Sequence, residues 1–150
     1  MKRNGVRFNW RLAIWFCSIF GVLFLSGVLW LAVRYYNASN EGFNSTYSSF
    51  EPWLLRIHGA AAMGSLVILG VLIPWHMRRA WAQRRNRVTA VCMVVSCILL
   101  VASGYGLYYC GDENLRSFLS GFHSSAGCAL PLILTWHILS GRRRESRTRY

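Results

Sequence analysis

VTAVCMVVSCILLVASGYGLYYCG, residues 88–111, decides the fold, because it runs without a single charged side chain. As a helix at 1.5 Å per residue it would extend about 36 Å, more than the ~30 Å hydrocarbon core of a bilayer. Its apolar residues do not alternate with polar ones as in a strand with one wet face. A helix also satisfies its backbone groups internally, as lipid demands. Arg78, Arg79, Arg84, Arg85 and Arg87 precede the stretch, and Asp112 and Glu113 follow it. An apolar block of this length with charges at both ends reads as a membrane span.

The same pattern occurs three more times. Residues 12–33, 57–77 and 117–141 are equally uncharged. The chain is therefore expected to be all-α, a four-transmembrane-helix bundle forming a single membrane domain over residues 1–150. Its spans are expected at about 12–36, 53–77, 88–110 and 116–141. The composition agrees: 54% of the 150 residues are hydrophobic, and they are gathered in blocks. A water-soluble globule would need them scattered at amphipathic spacing, so that class is excluded. The first block is too long for the apolar region of a signal peptide. It runs into Arg34-Tyr35-Tyr36-Asn37 instead of a small-residue cleavage site, and is read as a retained span.

The net charge of +12 comes from 17 Lys and Arg against 5 Asp and Glu. The N-terminus, the 78–87 connection and the tail share one side of a four-span topology. Together they hold fourteen basic residues and one acidic; the other side holds three basic and four acidic. The positive-inside rule then places both termini in the cytoplasm. The basic excess is thus an orientation signal, aided by anionic lipid, and nucleic acid is not an expected partner. The loops on the opposite side are too short to hold a catalytic domain.

All four histidines fall inside the expected spans: His58 and His76 in the second, His123 and His137 in the fourth. Ionisable side chains are costly in a bilayer, so intramembrane histidines mark a site by default. His58 and His76 are 18 residues apart, five helical turns, and share a face. His123 and His137 are 14 apart, just short of four turns, and share one too. The second and fourth spans run in the same direction, so His58 is comparable in depth to His123 and His76 to His137, with a mismatch of about 6 Å that tilt and the prolines Pro74 and Pro131 could share out. Two facing imidazoles at each of two depths fit two stacked haems, with both axial positions of each iron closed, as suits electron transfer. Zinc fits less well. It wants three or four ligands at one depth, and no acidic residue lies inside a span.

The surroundings agree with that reading. Gly59, Ala60, Ala61, Ala62 and Gly64 follow His58, while Gly121, Ser124, Ser125, Ala126 and Gly127 surround His123; small residues leave room for a flat macrocycle. Trp75-His76 and Trp136-His137 share one local context. Arg56 and Arg116 stand near the outer ends of the two histidine helices as candidate partners for haem propionates, with Arg78, Arg79, Arg142 and Arg143 at the inner ends.

On these residues the chain resembles the di-haem membrane cytochrome b superfamily, which includes the cytochrome b subunits of formate dehydrogenases and hydrogenases, and most of all its compact four-helix bacterial forms. The likeness covers Arg56 to Arg143. It rests on Arg56-Ile57-His58-Gly59, the run Ser103-Gly104-Tyr105-Gly106-Leu107-Tyr108-Tyr109, Gly111-Asp112-Glu113 with Arg116, and Phe122-His123 through Trp136-His137. The 18-residue separation of His58 and His76 is wider than the family's usual ligand spacing. The resemblance implies two b-type haems, with His58, His76, His123 and His137 as axial ligands. It also implies quinone as a substrate, partnership with other redox subunits or c-type cytochromes, and a place in the bacterial cytoplasmic (inner) membrane.

A quinone site needs a polar cavity beside a haem and a group to take up protons. Asp112 and Glu113 are the candidates, with Tyr105, Tyr108, Tyr109 and Glu51 on the same side. The five cysteines show neither a C-x-x-C-H haem attachment nor a zinc spacing, and only Cys110 faces the outer boundary. The expected function is electron transfer between the quinone pool and partner redox proteins on the outer side. Two alternatives stand beside it: a self-contained quinone-coupled oxidoreductase of a small diffusible reductant, and a non-redox anchor or assembly subunit.

Overall fold

The structure, a computed structural model, describes residues 10–39, 50–82 and 87–147, and the side chains of residues 14–37, 50–71 and 87–141. Among the described residues the chain is all-α, with four helices: α1 (Trp10–Ser39), α2 (Glu51–Ala82), α3 (Arg87–Tyr109) and α4 (Glu113–Arg147). Each contains a segment long and apolar enough to cross a membrane: Ile14–Asn37, Glu51–Val71, Arg87–Tyr109 and Glu113–Gly141. The chain is accordingly an integral membrane protein. Two compact units divide it, Met1–Leu72 and Ile73–Tyr150. The first holds α1 paired with most of α2, and the second holds the α3–α4 hairpin.

The helices outrun the expected spans at several ends. α1 continues to Ser39, α2 passes through Arg78 and Arg79, and α4 starts at Glu113 and enters the basic tail. Charge ends a lipid-soluble segment but does not end a helix, since Arg and Glu are good helix formers. The start of α2 is fixed by Phe50, whose carbonyl accepts the Leu54 N–H at 3.0 Å, with Pro52 in the first turn, where its missing N–H costs nothing. Asn37 near the end of α1 donates to Glu51 Oε1 at 2.9 Å and ties the two ends together.

A three-residue turn, Cys110 to Asp112, joins α3 to α4. Asp112 makes it possible. Its Oδ1 accepts the Leu115 N–H at 2.8 Å and its carbonyl accepts the Arg116 N–H at 2.9 Å, the two bonds of an N-cap. On the other side of the turn, the Cys110 N–H closes α3 onto the Gly106 carbonyl at 2.8 Å. Within α4, Pro131 has no N–H for the Gly127 carbonyl, a local weakening of the helix, and Thr135 Oγ1 donates to the Pro131 carbonyl at 2.8 Å.

Polarity is distributed opposite to a soluble protein. Leu25, Leu29, Val67, Val71, Ile98 and Leu132 are exposed, where lipid chains solvate them as well as a core would. The buried positions among the described residues are Ala61 and Leu130 together with four hydroxyl residues, Ser26, Ser65, Thr89 and Ser103. Three of those hydroxyls touch histidines.

Candidate functional site

In the first unit, His58 reaches from α2 to α1. Its Nδ1 lies 3.0 Å from the Leu23 carbonyl oxygen and 3.3 Å from Ser26 Oγ. Ser26 Oγ donates its own hydrogen to the same carbonyl at 3.0 Å. A carbonyl can only accept, so the bond to Leu23 puts the ring proton on Nδ1 and the ring lone pair on Nε2. Gly27 makes the approach possible. A Cβ there would stand 3.0 Å from His58 Cε1 and 3.2 Å from Nδ1, closer than ordinary contact.

In the second unit the arrangement recurs. His123 Nδ1 lies 2.9 Å from Ser103 Oγ, which in turn donates to the Leu100 carbonyl at 3.2 Å. A Cβ on Gly104 would stand 3.2 Å from His123 Cε1. His137 reaches the other end of α3, where its Nδ1 is 2.9 Å from Thr89 Oγ1. The two contacts obey a single antiparallel register: Thr89 and Ser103 are 14 residues apart on α3, and His123 and His137 are 14 apart on α4. Both rings therefore lie on the face of α4 turned to α3, about 21 Å apart along the axis. Packing supports this register, with Leu119 close against Gly106 and Leu100 in ordinary contact range of Gly127.

Ser26, Ser103 and Thr89 are only 4%, 3% and 6% exposed, so their bonds to imidazole form away from competing solvent. Metal-ligating histidines characteristically bond through the nitrogen that does not ligate, which orients the ring and sets its tautomer. The donor set fits such a role: imidazoles held at Nδ1, glycine cradles that a Cβ would crowd, and small neighbours. Gly59 and Gly121, near His58 and His123 on their own helices, have nothing within 4 Å of where a Cβ would stand. Two more buried polar atoms of the first unit, Trp30 Nε1 and Ser65 Oγ, lack a protein partner, and a bound polar group would relieve them.

His76 lies on α2, and its side chain is outside the described residues, as are those of Arg78, Arg79, Arg142 and Arg143. Arg56 is exposed, with its guanidinium 4.8 Å from the centre of the Trp53 ring, a cation–π pair. Arg116 is exposed on the first turn of α4. Asp112 is engaged as the α4 cap, and Glu113 is exposed beside it, where its charge complements the positive end of the helix. Tyr105 and Tyr109 meet at a 35° tilt with centroids 4.4 Å apart, and Tyr108 follows at 6.0 Å from Tyr109; all three are exposed. None of the five cysteines forms a disulfide, and Cys110 Sγ lies 3.7 Å from the Asp112 carbonyl.

Of the residues that touch the histidine rings, Ser103 and Gly104 stand in the run noted in the sequence, while Ser26, Gly27 and Thr89 were not singled out there. Ser26, Gly27, Thr89, Ser103 and Gly104 all lie on the preceding helix. One signal could have found them: L-x-x-S-G occurs twice, as Leu23-Phe24-Leu25-Ser26-Gly27 and Leu100-Val101-Ala102-Ser103-Gly104, each ahead of a histidine helix. No family model, curated protein or solved structure matches the chain.

Proposed function

We propose that this is a di-haem membrane cytochrome b of a bacterial cytoplasmic membrane, moving electrons between the quinone pool and redox partners on the outer side, with both termini in the cytoplasm. The observation that carries the reading is the common treatment of His58, His123 and His137. Each is an intramembrane imidazole held at Nδ1 by an oxygen of the preceding helix, the support that an axial ligand requires. By their spacing in the sequence, His58 and His123 would hold one haem and His76 and His137 the other. When bound, b-type haem would supply a one-electron carrier.

The chain's own part is to place these rings, exclude water from them and hold charge at the membrane faces. Leu23, Ser26, Ser103 and Thr89 orient the imidazoles. Arg56, steadied on Trp53, and Arg116 provide cations for carboxylates at the outer ends of α2 and α4. The α3–α4 turn provides Glu113 and the exposed Tyr105, Tyr108 and Tyr109 for quinone contact and proton uptake, while Asp112 shapes the turn. Electrons would pass to a second redox subunit or a c-type cytochrome. The fourteen basic residues on the terminal side set the orientation.

The test is a visible spectrum of the purified full-length protein with and without dithionite. A sharp b-type alpha band and two haems per chain are expected. A colourless protein, obtained from cells replete in haem, overturns the proposal.

A further inference from the structure

We propose that Trp30 and Arg34 form the carboxylate-binding end of the His58 site, receiving an acid group of the ligand that His58 would hold. The inference rests on the haem reading, in which that acid is a propionate, and names the residues of α1 that would take it.

A row of contacts marks the face of α1 turned to α2. Ile19 packs beside Gly64, Leu23 and Ser26 meet His58 Nδ1, Gly27 lies against the same ring, and Asn37 bonds to Glu51 at the end. Trp30 and Arg34 continue that face. They stand three and seven residues beyond Gly27, so about 4.5 Å and 10.5 Å further along the axis. The row therefore passes from an imidazole to an indole and a guanidinium before the Asn37–Glu51 bond closes it.

Both side chains have donors to spare. Trp30 Nε1 is buried and has no hydrogen-bond partner, a state that native structures rarely leave unrelieved. The exposed Arg34 places its guanidinium 5.2 Å from the centre of the Trp30 ring, and among the described residues it meets no carboxylate. Glu51, the acid at this end of the helices, is engaged by Asn37. An arginine near a membrane face ordinarily extends its charge outward to water. Arg34 instead folds back one turn over Trp30, toward the N-terminus of α1 and the level of His58.

A carboxylate answers both needs. One oxygen accepts the Trp30 Nε1–H and the other accepts from the guanidinium, which need not leave the neighbourhood of the ring. Water would satisfy the indole and leave the cation without a counter-charge. A lipid phosphate would meet an arginine stretched outward, whereas this one is turned inward. The acid therefore belongs to the ligand in the seam.

Haem and its dimethyl ester, in which both acids are masked, separate carboxylate recognition from everything else. Each is titrated into the full-length protein prepared without haem in detergent, and binding is followed by the visible spectrum. Arg34→Gln is expected to weaken haem binding about tenfold at one of the two sites and to leave the affinity for the ester unchanged. Arg34→Lys should retain most of the parent's preference for the free acid. Trp30→Phe keeps a ring beneath Arg34, removes the donor, and is expected to weaken haem binding in the same direction. A merely structural defect would weaken acid and ester alike, so the ratio of the two affinities is the deciding quantity. An unchanged ratio in Arg34→Gln, or unchanged haem affinity in Trp30→Phe, overturns the proposal. A parent protein that binds acid and ester equally keeps the haem and rejects the carboxylate site; one that binds neither rejects both.

Discussion

Gly27 offers the sharpest test of the histidine arrangement, because the structure supplies its own control on the same helix. A methyl group at Gly27 would stand 3.0 Å from His58 Cε1, while one at Gly21 would meet nothing within 4 Å. Gly→Ala raises helix propensity at both positions by about 1 kcal/mol in water, so that contribution cancels in the comparison. What remains is the cradle. Relieving the clash to an ordinary carbon–carbon separation of at least ~3.5 Å requires the ring to retreat by about 0.5 Å. The bond from Nδ1 to Leu23, now 3.0 Å, would then stretch to about 3.5 Å, the limit of a hydrogen bond. Its net worth is about 1 kcal/mol, enough to erase the propensity gain. Gly21→Ala should therefore be neutral or stabilising, and Gly27→Ala about 1 kcal/mol less stable than Gly21→Ala. If His58 holds haem iron as proposed, the expected loss of metal affinity is larger, since losing a ligand's supporting bond typically costs 10–100-fold. Thermal unfolding in detergent and haem titration of the two variants measure both quantities. Equal haem affinity in Gly27→Ala and Gly21→Ala would refute the cradle.

Other perturbations separate the roles of individual residues. His123→Ala should remove one haem of two and leave the inner one; pyridine haemochrome quantification showing both lost, or neither, would contradict the two-depth pairing. Asp112→Ala should cost about 1 kcal/mol through loss of the α4 cap, read as a lower unfolding temperature, whereas Asp112→Asn should restore most of it, because Asn caps well. If Asp112→Asn abolishes quinol-dependent haem reduction at unchanged stability, Asp112 handles protons as well as capping. Reporter fusions at the C-terminus should register the cytoplasmic side; an external signal would overturn the orientation.

How much of this was legible beforehand depended on the range of the interaction. Membrane spans are legible because lipid acts on each segment independently: an uncharged run such as residues 88–111 needs no knowledge of its neighbours. The helix ends were less so, because α4 begins where the Asp112 side chain turns back on Leu115, three residues before the expected start of the span. The histidines stood out through their rarity in apolar surroundings. Ser26 and Thr89 did not, and Ser103 entered only as part of the Ser103–Tyr109 run, because a hydroxyl in a membrane span ordinarily serves helix packing or bonds to its own backbone. Only the register of α3 against α4 shows that Ser103 faces His123 and Thr89 faces His137. The small residues beside each histidine and those that meet the rings lie on different helices. Gly59 and Gly121 are open, while the glycines that crowd the rings are Gly27 and Gly104.

The matched 14-residue steps on α3 and α4 make the hairpin intolerant of changes in length. Inserting one residue between His123 and His137 would advance the lower half of α4 by about 1.5 Å and swing His137 about 100° away from Thr89. A compensating insertion in α3 would turn Thr89 as well, and the two rotations would not bring the partners back together. Point substitutions along the connecting segment can be absorbed one at a time, but a single added or deleted codon cannot. Related chains should therefore vary freely in side chain over residues 124–136 while keeping their number constant, a spacing rule that can be checked by counting.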